Sequence, residues 1–248
     1  MQELTPEQLV ERWDELIGII KNKISTKRGE KLLELYEHFQ DRILYCPASY
    51  KDYFHGAYPG GYLIHILNVV KYAQELDKLW SDGGALRDFT DEELIFSAIN
   101  HDLGKIGDLE EPYYIEHNER WRKERGEIYM INPKIRYMAV PDRSVFLLNH
   151  FGITLTQTEL IAILLHDGMY DEGNKAYLQG YSEYKQLDDN LPIILHHADM
   201  MSMSIERDIW KSSQPGHTGV KSTKSKKEAK IMESDAVKKA AMDFFKKG

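Results

Sequence analysis

The chain has little of what would place it outside a cell or across a membrane. It contains a single cysteine, Cys46. No disulfide can close within it, and a reducing compartment fits. No apolar run approaches the ~18 residues of a membrane-spanning helix. The opening stretch MQELTPEQLVERWDE is acidic and lacks the basic-then-apolar order of a signal peptide. The expected location is the cytoplasm. Positive charge is also scarce, since the net charge is −8 over 248 residues. Residues 211–248 hold ten lysines against four acidic residues, so the preceding 210 carry −14. Such an acidic body argues against broad duplex binding, which needs cations against phosphates. It does not argue against a small phosphate ester, whose charge a bound metal neutralises locally.

What is present reads as helix. Thr5-Pro6-Glu7-Gln8 has the form of a capping box with proline at the first helical position. A helix to about Asn22 is predicted, with Leu9, Trp13, Leu16, Ile17 and Ile20 on one face. A second is predicted from about Lys27 to Leu44. A loop rich in aromatic and turn residues, CPASYKDYFHGAYPGG, separates it from a long apolar helix, GYLIHILNVVKYAQELDKLW. Two further capping boxes, at Thr90–Glu93 and Thr156–Glu159, start helices that end at His101-Asp102 and near His166-Asp167. A last core helix is expected from Leu191-Pro192. Alternation in EIYMINPKIRYMAV predicts a small hairpin, Glu127–Ile131 with Ile135–Val140, around Asn132-Pro133. Residues 1–210 are expected to form one helical domain. A flexible Lys/Ser-rich segment at 211–230 and a C-terminal helix at 231–248 should follow.

Titratable side chains interrupt several of these apolar helices. His65 lies within YLIHILNVV, His101 and Asp102 close IFSAINHD, and Asp199 lies in ILHHADMMS. Burying such groups is costly unless they are paired, hydrogen-bonded or bound to a metal. A lone histidine on an apolar helix is more often a satisfied core residue, and His166-Asp167 shows how readily the dipeptide recurs. Four such residues on successive helices point to a shared partner, most simply a divalent cation. Imidazole with carboxylate suits Mn, Fe, Co, Ni or Zn, whereas Mg or Ca would call for oxygen ligands alone.

The ordered set His65 … His101-Asp102 … Asp199 resembles the HD superfamily of metal-dependent phosphohydrolases. FHGAYPGGYLIHILNV resembles the segment carrying that family's first histidine, HDLGK its second motif, and HADMMS its last. The stretch DRSVFLLNHFGITLTQTELIAILLHDGMYDEGN resembles a branch of bacterial and phage HD hydrolases. The resemblance spans about residues 45–210. It implies an all-α HD-domain bundle in which His65, His101, Asp102 and Asp199 hold one metal. It also implies hydrolysis of a phosphate ester of a nucleotide or oligonucleotide by metal-activated water, with Asp102 and Lys105 in catalysis. A second ion, or hydrogen bonds behind the ligands, would involve His166, His196 or His150. His197 is expected to be a plain packing or surface residue.

His55, Lys105, Arg143 and Tyr170 are the candidates for contacting substrate, and Asn174 for reading a base. Gly60-Gly61 would permit close approach of backbone to a ligand. The expected partner is a small nucleotide or other phosphate ester. Nucleic acid is not favoured, since no nucleic-acid module is evident. The rival class is a non-catalytic HD module that senses metal or nucleotide. Within the enzyme class, the alternatives are a deoxynucleoside triphosphate triphosphohydrolase and a 3′-5′ exonuclease.

Overall fold

A computed structural model describes residues 4–180 and 186–214. The chain divides into a unit spanning Met1–Trp210 and a second, Lys211–Gly248. Of the second, only 211–214 are described, as the end of the last helix. The Lys/Ser-rich segment and the C-terminal helix expected beyond it therefore lie almost wholly outside the described residues.

The first unit is mostly helical. Helix α1 (Pro6–Lys23) is followed by α2 (Thr26–His38), α3 (Gln40–Tyr45), α4 (Gly61–Asp82) and α5 (Asp91–Asn100). A 3₁₀ turn, Leu103–Ile106, leads to β1 (Tyr114–Glu116), α6 (Arg120–Glu124) and β2 (Tyr129–Ile131). Helices α7 (Val140–His150), α8 (Gln157–Leu165), α9 (Lys175–Leu178) and α10 (Leu191–Ser213) complete it. No described helix is long and apolar enough to cross a membrane.

All three capping boxes form. The hydroxyls of Thr5, Thr90 and Thr156 accept from the backbone N–H groups of Gln8, Glu93 and Glu159, and each partner side chain returns to the cap N–H. Two orphan donors are satisfied at each helix start, worth roughly 1 kcal/mol per cap. The third box does more. Glu159 is fully buried and its carboxylate meets Arg28 of α2, whose guanidinium lies 3.6 Å over the Phe96 ring of α5. That pair ties α8 and α2 to α5 across the core.

Two expectations are corrected. The helix predicted from about Lys27 to Leu44 breaks at Phe39, whose ψ of 15° leaves the helical run. Phe39 is buried against Phe151, at 5.9 Å between ring centroids, so core packing sets the bend. The small hairpin also has a different partner. β2 pairs antiparallel with β1, Tyr114 opposite Ile131, and not with residues 135–140. Asn132 explains why. Its N–H donates to the Tyr113 carbonyl, extending the ladder, while its Oδ1 accepts from Lys134 N–H and turns the chain away. The chain then runs through an Asx turn to α7, with Pro141 in that helix's first turn.

The core is one cluster of side chains from α1, α2, α4, α5, α7, α8 and α10, including Leu16, Tyr36, Leu63, Phe96, Leu147, Ile163 and Leu195. Three of these helices, α4, α5 and α10, carry or lead into the titratable residues.

Candidate metal centre

His65 lies in the second turn of α4, and Asp199 in the third turn of α10. His101 caps the C-terminal end of α5, with Asp102 next to it. All four are at most 5% exposed. His65 Nε2 lies 3.0 Å from Asp199 Oδ1 and 3.5 Å from Asp102 Oδ2. His101 Nε2 lies 3.5 Å from Asp102 Oδ2 and 3.9 Å from Asp199 Oδ1. Donors bound at about 2.0–2.2 Å to one ion are separated by roughly 3.0–3.5 Å, depending on the angle between them. Three of these four donor–donor distances fall in that range, and the fourth exceeds it by 0.4 Å. His65 Nε2, His101 Nε2 and Asp199 Oδ1 are buried and have no hydrogen-bond partner. Buried polar atoms in native interiors are nearly always paired. Three orphans facing one point fit a cation.

The second nitrogen of each ring explains its orientation. His101 Nδ1 lies 2.8 Å from the Ala98 carbonyl oxygen. A carbonyl only accepts, so the proton is on Nδ1 and the lone pair is on Nε2. His166 repeats the device at the end of α8, with Nδ1 2.8 Å from the Ile163 carbonyl. Its Nε2 then points at the other Asp102 oxygen, 3.6 Å from Oδ1. The two oxygens of Asp102 thus face different histidines, and His101, His166 and Asp199 form a second group of donor atoms within 4.8 Å of one another.

His65 is oriented by Glu206, a residue that the sequence reading passed over. Glu206 Oε1 lies 3.4 Å from His65 Nδ1 and accepts from Ser202 Oγ at 2.7 Å and Asn68 Nδ2 at 2.9 Å. A carboxylate behind a ligating imidazole fixes its tautomer and raises its basicity. The signal was in the chain. Glu206 stands seven residues after Asp199 on the same helix, on the same face two turns on, with Ser202 between them.

The turn carrying Asp102 is clamped from α7. Ser144 Oγ donates to the His101 carbonyl and accepts from Gly104 N–H at 2.8 Å. Arg143 braces the same turn. It is 2% exposed, and its guanidinium donates to the carbonyls of Gly104 at 3.0 Å and Met138 at 2.9 Å, with its face against Tyr113. Its donors hold the turn. Gly104 permits the contact, since a Cβ there would lie 2.2 Å from the Val140 carbonyl oxygen.

Charges in the cluster compensate one another. Burial disfavours the Asp102 carboxylate, but Lys105, His101 and His166 outweigh it and hold the group well below the usual carboxylate range. Lys105 Nζ sits 2.6 Å from Asp102 Oδ2. Burial alone would lower the lysine, yet the carboxylates of Asp102 and Asp199 hold it charged. Burial opposes charge on His166 too, but Asp102, Asp167 and Asp199 lift it to about 9. His55 behaves in the opposite way. Burial, with the charges of His65 and Lys105, pushes it down to about 3, so it stays neutral. Its ring is 5.0 Å from that of His65, and its Nε2 is buried and unpartnered.

The remaining candidates divide. His196 lies beside the cluster, in none of its groups of donor atoms, with its Nδ1 2.7 Å from the His166 carbonyl. Tyr170 is 78% exposed, with its ring 6.3 Å from that of His196, at the rim. Asn174 is buried and its Nδ2 donates to the Gly168 carbonyl, which braces its loop. His150 is exposed and packs against Phe146 and Phe151, outside every group of candidate metal ligands. His197 faces Trp80. Gly60-Gly61 serves the chain itself, since a Cβ on Gly61 would lie 1.9 Å from the Gly56 carbonyl oxygen.

No family model, curated protein or solved structure matches this chain. The metal-binding reading therefore stands on the geometry and on the chemistry of the donor set.

Proposed function

We propose that the chain is a metal-dependent phosphohydrolase of the HD type, cleaving a phosphate ester of a nucleotide with water. One observation carries this reading. Two imidazoles and two carboxylates from α4, the end of α5 and α10 converge in the interior, with three of their donor atoms otherwise unpaired. Neutral nitrogen with anionic oxygen suits Mn, Fe, Co, Ni or Zn. When bound, such an ion supplies a Lewis acid that acidifies water and polarises a phosphoryl oxygen.

The chain's own groups support that chemistry. Lys105 holds a fixed positive charge against Asp102, where the negative charge of a phosphate would gather. Glu206 and the Ala98 carbonyl keep the His65 and His101 rings aimed. His55, neutral and beside His65, offers a ring nitrogen for hydrogen bonding without adding charge.

The test is hydrolysis of a phosphomonoester, a phosphodiester and a nucleotide panel with added Mn²⁺, beside Asp102→Ala. Turnover by the wild type that the variant lacks supports the enzyme. Stoichiometric metal with no turnover across the panel would instead favour a module that senses metal or nucleotide.

A further inference from the structure

A cleft of about 230 Å³ opens between the end of α3, the Leu103–Ile106 turn and the β1–β2 hairpin. Tyr45, Pro47, Lys105, Tyr113, Tyr114 and Tyr129 line it. Lys105 places it beside the metal centre, since it forms part of the cleft wall while its ammonium contacts Asp102.

The wall's chemistry restricts what fits. Its two cations are Lys105 and Arg42, and Arg42 is consumed by the carbonyls of Asp108, Glu110 and Glu111. Glu116, also on the wall, pairs with Lys123 at 2.7 Å. The remaining cation is Lys105, at the inner end, where it is paired with Asp102. The rest is phenol, proline and aliphatic surface. A chain of phosphates would meet no counter-charge there, whereas an uncharged flat ring would meet tyrosine. The volume lies below the roughly 300–1,000 Å³ of drug-sized sites, which suits one ring system and excludes an oligonucleotide.

We propose that this cleft binds the uncharged planar ring of the substrate, with a single phosphate directed past Lys105 to the metal centre. The assignment rests on the phosphohydrolase reading and narrows it to monophosphate esters of a ring compound. The ring can be a nucleobase or a simple aryl group, and the test separates them.

Binding is measured first without turnover, by calorimetry on the metal-loaded full chain, with nucleosides, phenol and ribose as probes. Nucleosides should bind and ribose should not. Tyr114→Leu and the exposed Tyr45→Ala should each weaken nucleoside binding about 10-fold, the scale of one lost aromatic stack. KM for nucleoside monophosphates should rise in parallel, and in Tyr45→Ala kcat and the KM for ribose 5-phosphate should be unchanged. Phenol binding that depends on the same tyrosines while nucleosides fail would assign the cleft to aryl esters. If ring compounds do not bind the wild type, or both variants bind them normally while the protein hydrolyses phosphate esters, the cleft assignment falls and the hydrolase stands. Tyrosine-dependent binding with no hydrolysis of any ester would keep the cleft and overturn the hydrolase. Thermal melting of both variants separates loss of the ring site from loss of the fold.

Discussion

Replacing Glu206 with glutamine tests whether a carboxylate behind His65 matters to metal binding. The exchange keeps the side chain's shape and leaves an amide oxygen for Ser202 Oγ and Asn68 Nδ2, which now lie 2.7 and 2.9 Å from Oε1. Only the charge 3.4 Å from His65 Nδ1 is removed. Two unit charges at that separation attract by about 5 kcal/mol at an effective dielectric constant of ~20. Relaxation and partial desolvation absorb most of this, and comparable carboxylates behind ligating histidines change metal affinity by roughly 10–100-fold. The expected result for Glu206→Gln is a loss of about 10-fold in Mn²⁺ or Zn²⁺ affinity by calorimetry, with the metal-free protein still folded and melting cooperatively. Glu206→Ala should approach the upper end of that range, because Ser202 and Asn68 also lose their acceptor. Affinity within twofold of wild type in both variants, with the fold intact, would refute the argument that Glu206 sets the ring's tautomer and basicity.

Further outcomes follow from other parts of the site. His101→Ala should abolish stoichiometric metal binding, read by elemental analysis, while His150→Ala should leave it untouched. Metal-free protein should lose stability as pH rises from about 6.5 through about 9. His166 gains its proton's stabilisation in the folded state, fully present below 6.5 and lost as the raised group deprotonates. Metal competes with that proton, so melting curves with saturating Mn²⁺ should not show the decline. Arg143→Met should cost about 2–4 kcal/mol, since it strands the buried Gly104 and Met138 carbonyls. Denaturant titration measures it, and an unchanged midpoint would show that the guanidinium is not the clamp. Gly61→Ala should cost about 3 kcal/mol or more, because the Gly56 carbonyl must move from 1.9 Å.

The parts of the fold legible beforehand were those governed by local rules. Three capping boxes named three helix starts, because the motif acts within four residues. His65, His101, Asp102 and Asp199 stood out because each interrupts an apolar helix, and the structure places them together. Non-local partners were not legible. The strand opposite Tyr129–Ile131 is Tyr114–Glu116, chosen by Asn132's bonds to residues beyond the periodic pattern. Arg143 read as a candidate for contacting substrate, since nothing local shows that the Gly104 carbonyl, 39 positions away, accepts its hydrogen bond. Glu206 was overlooked because it falls on the half-exposed end of a helix whose apolar turns drew attention to Asp199.

His101 and His166 each spend one ring nitrogen on a carbonyl of their own helix, three residues back. At a helix end those carbonyls lack an intrahelical donor, so the histidines also terminate α5 and α8. Ring direction is thereby decided by secondary structure and is in place once the helices form. Small zinc domains assemble around their ion and unfold when it is chelated. Here a chelator should strip the cation from an already folded scaffold, and apoprotein should reload without refolding.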